Sequence, residues 1–160
     1  MQVSAPFEPA IVAHDMDRML AFYRDALGMT LFSLDRIPAE QARMAGLSAQ
    51  GYAIARLDSA GGDRLKIVVP QDRPAAQAAV AHAMQRHGLA YLTFIVPDVR
   101  AVIAALRAAG ATLRTGGEPV PFRPGVVELA FAQDPEGNLL EFVQRNDLAA
   151  YRPSPTGART

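Results

Sequence analysis

The stretch FAQDPEGNLLEFVQ, residues 131–144, holds the side chain best suited to chemistry. It reads as strand, tight turn, strand. Asp134-Pro135-Glu136-Gly137 supplies the turn, because Pro135 presets φ and Gly137 accepts positive φ without a Cβ clash. In the strand that follows, Leu139, Glu141 and Val143 face one way, and Leu140, Phe142 and Gln144 the other. Glu141 is thus a carboxylate in mid-strand with aliphatic neighbours on its own face. It must be hydrogen-bonded, ion-paired or bound to a cation, since an isolated dry charge is costly. The alternative is an edge strand with one solvated face, which leaves Glu141 in water.

Other reactive types are sparse. There is no Cys, hence no disulfide, thiol nucleophile or thiolate metal site. His82 and His87 are five apart, about 140° around a helix, so they cannot share a face as a metal pair would. Both read as solvated, with His87 favoured near the negative end of a helix. His14 ends a strand just before Asp15. Arg114 and Arg123 sit in or near a loop and could meet an anionic substrate. No P-loop, dinucleotide fingerprint, nucleophile elbow or HExxH motif is present.

The elements that position these residues follow from the hydrophobic pattern. Glu8 to Ala13 is a short strand, with Pro9 marking its start or a sheet edge. Asp15 caps a helix over 16–27 whose buried face is Met16, Met19, Leu20, Tyr23 and Leu27, and Gly28 ends it. Strands follow at 29–34, 52–57 and 64–69, with a short helix or loop over 38–47 and a turn at Gly61-Gly62-Asp63. An alanine-rich linker carries a helix from Pro74 to His87. The pattern then restarts: a strand over 91–96, a helix over 99–109 capped by Asp98, and a short strand over 111–114. A Gly/Pro-rich loop spans 116–124, and a hairpin of 126–132 with 139–143 closes the set.

The restart is an internal repeat. AIVAHDMDRMLAFYRDALGMTL lies over TFIVPDVRAVIAALRAAGATL, matching Asp15 with Asp98 and Arg24 with Arg107 at an offset of 83. Each copy reads β-α-β-β-β. A lone module of this kind cannot cover its sheet, so two are expected to pack together.

DMDRMLAFYRDALGM followed by QDPEGNLLEFVQ, with ARMAGLSAQGYAIARLDSAGGDRLKIVVP between them, resembles the vicinal oxygen chelate superfamily, also called the glyoxalase/bleomycin-resistance/dioxygenase family. The resemblance covers most of residues 8–144. It implies an α+β fold of two tandem βαβββ modules forming an open, curled mixed β-barrel with the helices outside. Module one would span about 8–69, the linker helix 70–88, module two 89–144 and a C-terminal tail 145–160, all in a single domain. It also implies a homodimer. In metal-dependent members, four side chains from the first and fourth strands of each module hold a divalent ion, typically His or Gln, Glu, His and Glu.

Carried onto this sequence, those positions are Glu8, Lys66, Tyr91 and Glu141. Only Glu141 keeps the usual type. Alternation then places Val12, Arg64, Thr93 and Val143 on the same inward faces, as substrate contacts together with Arg123. A divalent ion takes neutral imidazole or anionic oxygen donors. A protonated Lys repels it and a neutral Tyr binds it poorly. The expectation is that there is no metal and no cofactor, and that the Lys66 ammonium stands where the ion would, paired with Glu141, Glu8 or both. A purely structural neutralisation of Glu141 by Lys66 is the alternative.

Three functions are consistent with this set. The first is metal-independent isomerase, epimerase or lyase chemistry on a small carbonyl or carboxylate compound. Glu141 or Glu8 would then be the base, Lys66 the oxyanion stabiliser and Tyr91 a donor. The second is non-catalytic binding or drug sequestration. The third is a metal-dependent lyase or dioxygenase with unusual ligands. Composition narrows the partners. Sixteen basic and sixteen acidic residues balance in a chain of 160, which argues against nucleic acid and anionic membrane. No apolar run approaches the ~20 residues of a bilayer span. A small-molecule ligand and a cytoplasmic location are expected.

Overall fold

Asp15 and Asp98 cap their helices as the repeat requires. The Asp15 carboxylate accepts from the Arg18 amide at 3.0 Å. Asp98 accepts from Arg100 and Ala101 at 2.9 and 3.0 Å. These contacts satisfy amides that a helix start leaves without partners. The computed structural model describes residues 6–75, 80, 82–85 and 87–152. Two units emerge, residues 1–81 and 82–160, which correspond to the two modules.

The first module runs β1 (Ala10–Val12), α1 (Met16–Leu20), β2 (Thr30–Ile37), α2 (Ala39–Met44), β3 (Tyr52–Asp58) and β4 (Arg64–Pro70). Its sheet order is β1-β4-β3-β2, with β1 parallel to β4 and the other pairs antiparallel. Ile11, Leu57, Leu65 and Ile67 are buried with Met19 and Tyr23. Each large apolar side chain so buried contributes roughly 1.5–3 kcal/mol. The expected single helix over 16–27 is instead α1 followed by a π-helical turn, Ala21–Ala26, in which the Leu27 amide bonds to Phe22 O. The wider turn leaves both Phe22 and Tyr23 buried, edge to face at 5.1 Å. Gly28 ends the segment at φ 70°.

The second module runs β5 (Leu92–Ile95), α3 (Val99–Ala108), β6 (Thr112–Leu113), β7 (Val120–Arg123), β8 (Val127–Gln133), β9 (Leu139–Arg145) and α4 (Leu148–Tyr151). The order β5-β9-β8-β6 repeats that of the first module, again with its first and last strands parallel. Val99, Ile103 and Leu106 of α3 are buried, and the helix packs on β8 and β9. Both modules are therefore α+β with a mixed sheet, as expected.

Three local differences stand out. The loop over 116–124 contains β7, which pairs with β8 on the same edge as β6. The tail from 145 begins inside β9 and carries α4. The expected helix over 74–87 is not borne out at the described positions: Pro74, Ala75, Val80, His82 and His87 are not helical and Ala83–Gln85 forms one 3-10 turn. Positions 76–79, 81 and 86 lie outside the described residues. Among the described residues no helix is long and apolar enough to cross a membrane.

Candidate functional site

The register fixes which side chains share a face. Lys66 stands opposite Ala10 on β1 and Arg56 on β3. Glu8 precedes β1 by two residues, and Pro9 does not divert the chain: its carbonyl accepts from the Lys66 amide at 2.9 Å. The Lys66 ammonium consequently meets the Glu8 carboxylate at 2.7 Å. Arg64, two residues earlier on the same face, lies 3.9 Å from the other Glu8 oxygen. It also grips Asp58 with two bonds, Nε to Oδ1 at 2.6 Å and Nη2 to Oδ2 at 2.8 Å. Its guanidinium covers the Phe32 ring at 3.9 Å. Arg56 donates to Asp35 at 2.6 Å and to the Ser33 hydroxyl at 3.1 Å.

Electrostatics follow from these contacts. The hydrogen bond from Lys66 holds the Glu8 carboxyl below its ordinary range, reinforced by the charges of Lys66, Arg64 and Arg56 against a smaller opposing desolvation. Asp58 is lowered in the same way by the Arg64 hydrogen bond.

In the second module Glu141 pairs with Thr93 on β5 and Phe131 on β8. The Thr93 hydroxyl donates to Glu141 Oε2 at 2.7 Å. Strand β9 lies between β5 and β8 and is not an edge, while the face that Glu141 shares with Thr93 is open to solvent. Tyr91 sits just before β5 and meets Phe131 edge to face, centroids 5.4 Å apart. Val143 is buried with Val127 and Leu129. The turn between β8 and β9 is held by Asp134, which is only 4% exposed. Its carboxylate accepts from the Glu136 and Asn138 amides and from Asn138 Nδ2, each at 2.9 Å.

A profile of known domains matches residues 7–142, described as Glyoxalase/Bleomycin resistance protein/Dioxygenase superfamily. The chain belongs to this superfamily. It is 28% identical over 136 residues to a lactoylglutathione lyase from Haemophilus influenzae, covering 81% of this chain and 84% of that one. It is 31% identical over 134 residues to a biphenyl-2,3-diol 1,2-dioxygenase from Sphingomonas paucimobilis, covering 82% of this chain but only 42% of that one. Among solved structures, a glyoxalase family protein from Bacillus cereus shares the fold with a TM-score of 0.75 at 21% identity, over 91% of this chain and 96% of that one.

Metal-dependent members of the superfamily suggest a divalent ion, and the donor set here does not fit one. At the fourth-strand position of the first module stands an ammonium, and the carboxylate nearest it already forms a 2.7 Å ion pair. An arginine on the same face adds further positive charge. Among the described residues no three His, Asp or Glu side chains are grouped to hold a metal.

The remaining candidates fall elsewhere. Arg123 is on β7 and donates to Asp147 Oδ2 at 2.5 Å, in a cluster with Arg145. Val12 is exposed on β1. Exposed His14 lies 3.4 Å from Pro74 O, beside an open cleft of about 310 Å³ bordered by Pro70, Gln71, Arg73 and Pro74. No Glu8, Lys66, Arg64 or Arg56 lines that cleft, so its volume is no guide to the chemistry.

Sequence reasoning missed Asp58, Phe32 and Arg56. A hairpin over the Ser59–Asp63 turn implies that Asp58 faces Arg64, and that signal was available. Phe32 could not be placed, because the β2–β3 register shifts between Leu31 and Ser33.

Proposed function

We propose that the protein binds a small carbonyl or carboxylate compound and acts on it as a metal-independent lyase or isomerase. The carrying observation is the 2.7 Å contact of Lys66 with Glu8, with Arg64 beside it. Two fixed cations on one sheet face suit an anionic oxygen, and an ammonium hydrogen-bonded to an enolate oxygen lowers the barrier to deprotonating the adjacent carbon. Lys66 takes the oxyanion role. In the second module Glu141, held by the Thr93 hydroxyl, is a separate acid-base candidate tested by its own variants. The similarity to the Haemophilus influenzae lactoylglutathione lyase supports lyase chemistry as the class.

A second reading is sequestration without turnover. Phe32 is a large exposed apolar group against the Arg64 guanidinium, as a pure binding surface would require. Proton NMR in D2O separates the readings. EDTA-treated protein is incubated with a panel of small keto acids, hydroxy acids and aldehydes. Exchange of a substrate C–H that disappears in Lys66→Met supports the proposal. Binding without exchange gives sequestration. Exchange that starts only when a divalent ion is added overturns metal independence.

A further inference from the structure

The proposed function leaves open what carboxylate-bearing ligand the Lys66/Arg64 pair accepts and how the pair is kept while empty. Glu8 bears on both questions. Its two oxygens are divided between the two cations, Oε2 at 2.7 Å from Lys66 and Oε1 at 3.9 Å from Arg64. That is how a small carboxylate would sit between an ammonium and a guanidinium. Glu8 is not fixed by strand pairing of its own, because β1 begins at Ala10. Its side chain is 34% exposed, and Lys66 and Arg64 are partly exposed as well. The contact is therefore exchangeable.

The surroundings narrow the ligand further. Phe32 is 62% exposed, with the Arg64 guanidinium over its ring at 3.9 Å. Asp58 anchors that guanidinium through Nε and Nη2, which leaves Nη1 as the atom nearest Glu8. The anchored guanidinium thus touches an exposed aromatic ring and also borders the seat of a carboxylate. A flat acid of benzoate size can satisfy both features, with its carboxylate on Lys66 and Arg64 and its ring against Phe32.

We propose that Glu8 is a built-in competitor that occupies the Lys66/Arg64 carboxylate seat, and that a planar aromatic carboxylate displaces it and lies against Phe32. This rests on the proposed function, since it takes the Lys66 face as the ligand site. Exchange of one carboxylate for another leaves Lys66 and Arg64 paired both before and after ligand binding. The resting ion pair also lowers apparent affinity, because each ligand must first win the seat.

Calorimetric titration of benzoate, acetate and benzamide into the parent, Glu8→Gln, Glu8→Ala, Phe32→Ala and Lys66→Met tests this. Both Glu8 variants should bind benzoate about tenfold more tightly than the parent. Phe32→Ala should weaken benzoate severalfold and leave acetate unchanged, and Lys66→Met should abolish binding of both acids. Benzamide should bind no variant measurably. Unchanged or weaker benzoate binding in both Glu8 variants, with binding still lost in Lys66→Met, overturns the competitor and leaves the ligand site standing. Equal loss of acetate and benzoate in Phe32→Ala overturns the aromatic selectivity. No carboxylate binding in the parent or in either Glu8 variant overturns this inference, while C–H exchange with the keto acid, hydroxy acid and aldehyde panel decides the proposed function separately. Circular dichroism of each variant guards against reading misfolding as lost binding.

Discussion

Lys66 and Glu141 occupy the same register position in the two sheets. Lys66 faces Ala10 across the parallel β1–β4 pair, and Glu141 faces Thr93 across the parallel β5–β9 pair. Ala10 and Thr93 are themselves repeat equivalents, 83 residues apart. One sheet therefore presents an ammonium where the other presents a carboxylate. Each has found a local partner: Glu8 for Lys66 and the Thr93 hydroxyl for Glu141.

The first expectation concerns metal. The parent should carry no stoichiometric divalent ion, because Lys66 supplies the charge at its position and repels a second cation. Lys66→Glu removes that repulsion and adds an anionic oxygen donor beside Glu8. Its affinity for Mn2+ or Zn2+ should exceed that of the parent by at least about tenfold. Elemental analysis and calorimetric titration of both proteins measure it. Full occupancy in the parent through Glu141 would show the donor set to be misjudged.

Glu141 and Thr93 form the second test. Glu141→Gln keeps shape and the Thr93 partner but loses proton-accepting capacity. If Glu141 is the base, C–H exchange should fall by about 100-fold or more. Thr93→Val removes only the 2.7 Å donor and should give a smaller loss, with the fold intact by circular dichroism. Equal, full activity in both variants would remove Glu141 from the chemistry.

Asp134 provides a stability prediction independent of function. Asp134→Ala strips the acceptor from two amides and one side-chain NH2 in a buried turn. The cost should be about 2–4 kcal/mol, as for breaking several hydrogen bonds to a charged buried group. Urea unfolding should show a lower midpoint with an unchanged slope.

Acid should loosen the end of the second module. The hydrogen bond from Arg145 holds the Asp147 carboxyl below its ordinary 3.8, with Arg123 adding to the shift. A depressed folded value means this stabilisation is complete above the ordinary value and lost as pH falls through the folded one. Arg145 also covers the Tyr151 ring at 3.5 Å, so Tyr151 reports the change. Its ring NMR signals should shift toward random-coil values below about pH 4 in the parent. In Asp147→Asn they should do so without that pH step.

Association state is the fifth expectation. The superfamily resemblance implies a homodimer, and Phe122 on β7 and Tyr151 on α4 are large exposed apolar groups that an interface could cover. Light scattering at micromolar concentration should return twice the 17.1 kDa chain mass. A monomer mass would count against it.

By itself the sequence determined the two-module plan. Helix caps at Asp15 and Asp98, terminating glycines and two-residue alternation are local signals, and each acts through the chain nearest it. For the same reason the Asp134 turn and the shared face of Leu139, Glu141 and Val143 were legible, whereas 38–47 was left open between helix and loop and the structure shows the helix Ala39–Met44. The family resemblance implied that Glu8 and Lys66 share a face, but it could not choose a partner. Lys66 had two carboxylates available on paper, and only the parallel β1–β4 register brought Glu8 to 2.7 Å.

The tertiary structure decided what depends on distant chain. The π-helical turn at Ala21–Ala26 goes with the burial of both Phe22 and Tyr23, edge to face with each other, which no helical periodicity encodes. Strand β7 has four exposed residues and exists because β8 offers it a free edge. Phe32 meets Arg64 because β2 shifts register before Ser33, and Arg123 turned from a ligand contact into a partner of Asp147, 24 residues away. Periodicity states which face a residue takes. Which group it meets on that face is set by strand pairing, and strand pairing depends on contacts between residues far apart in sequence.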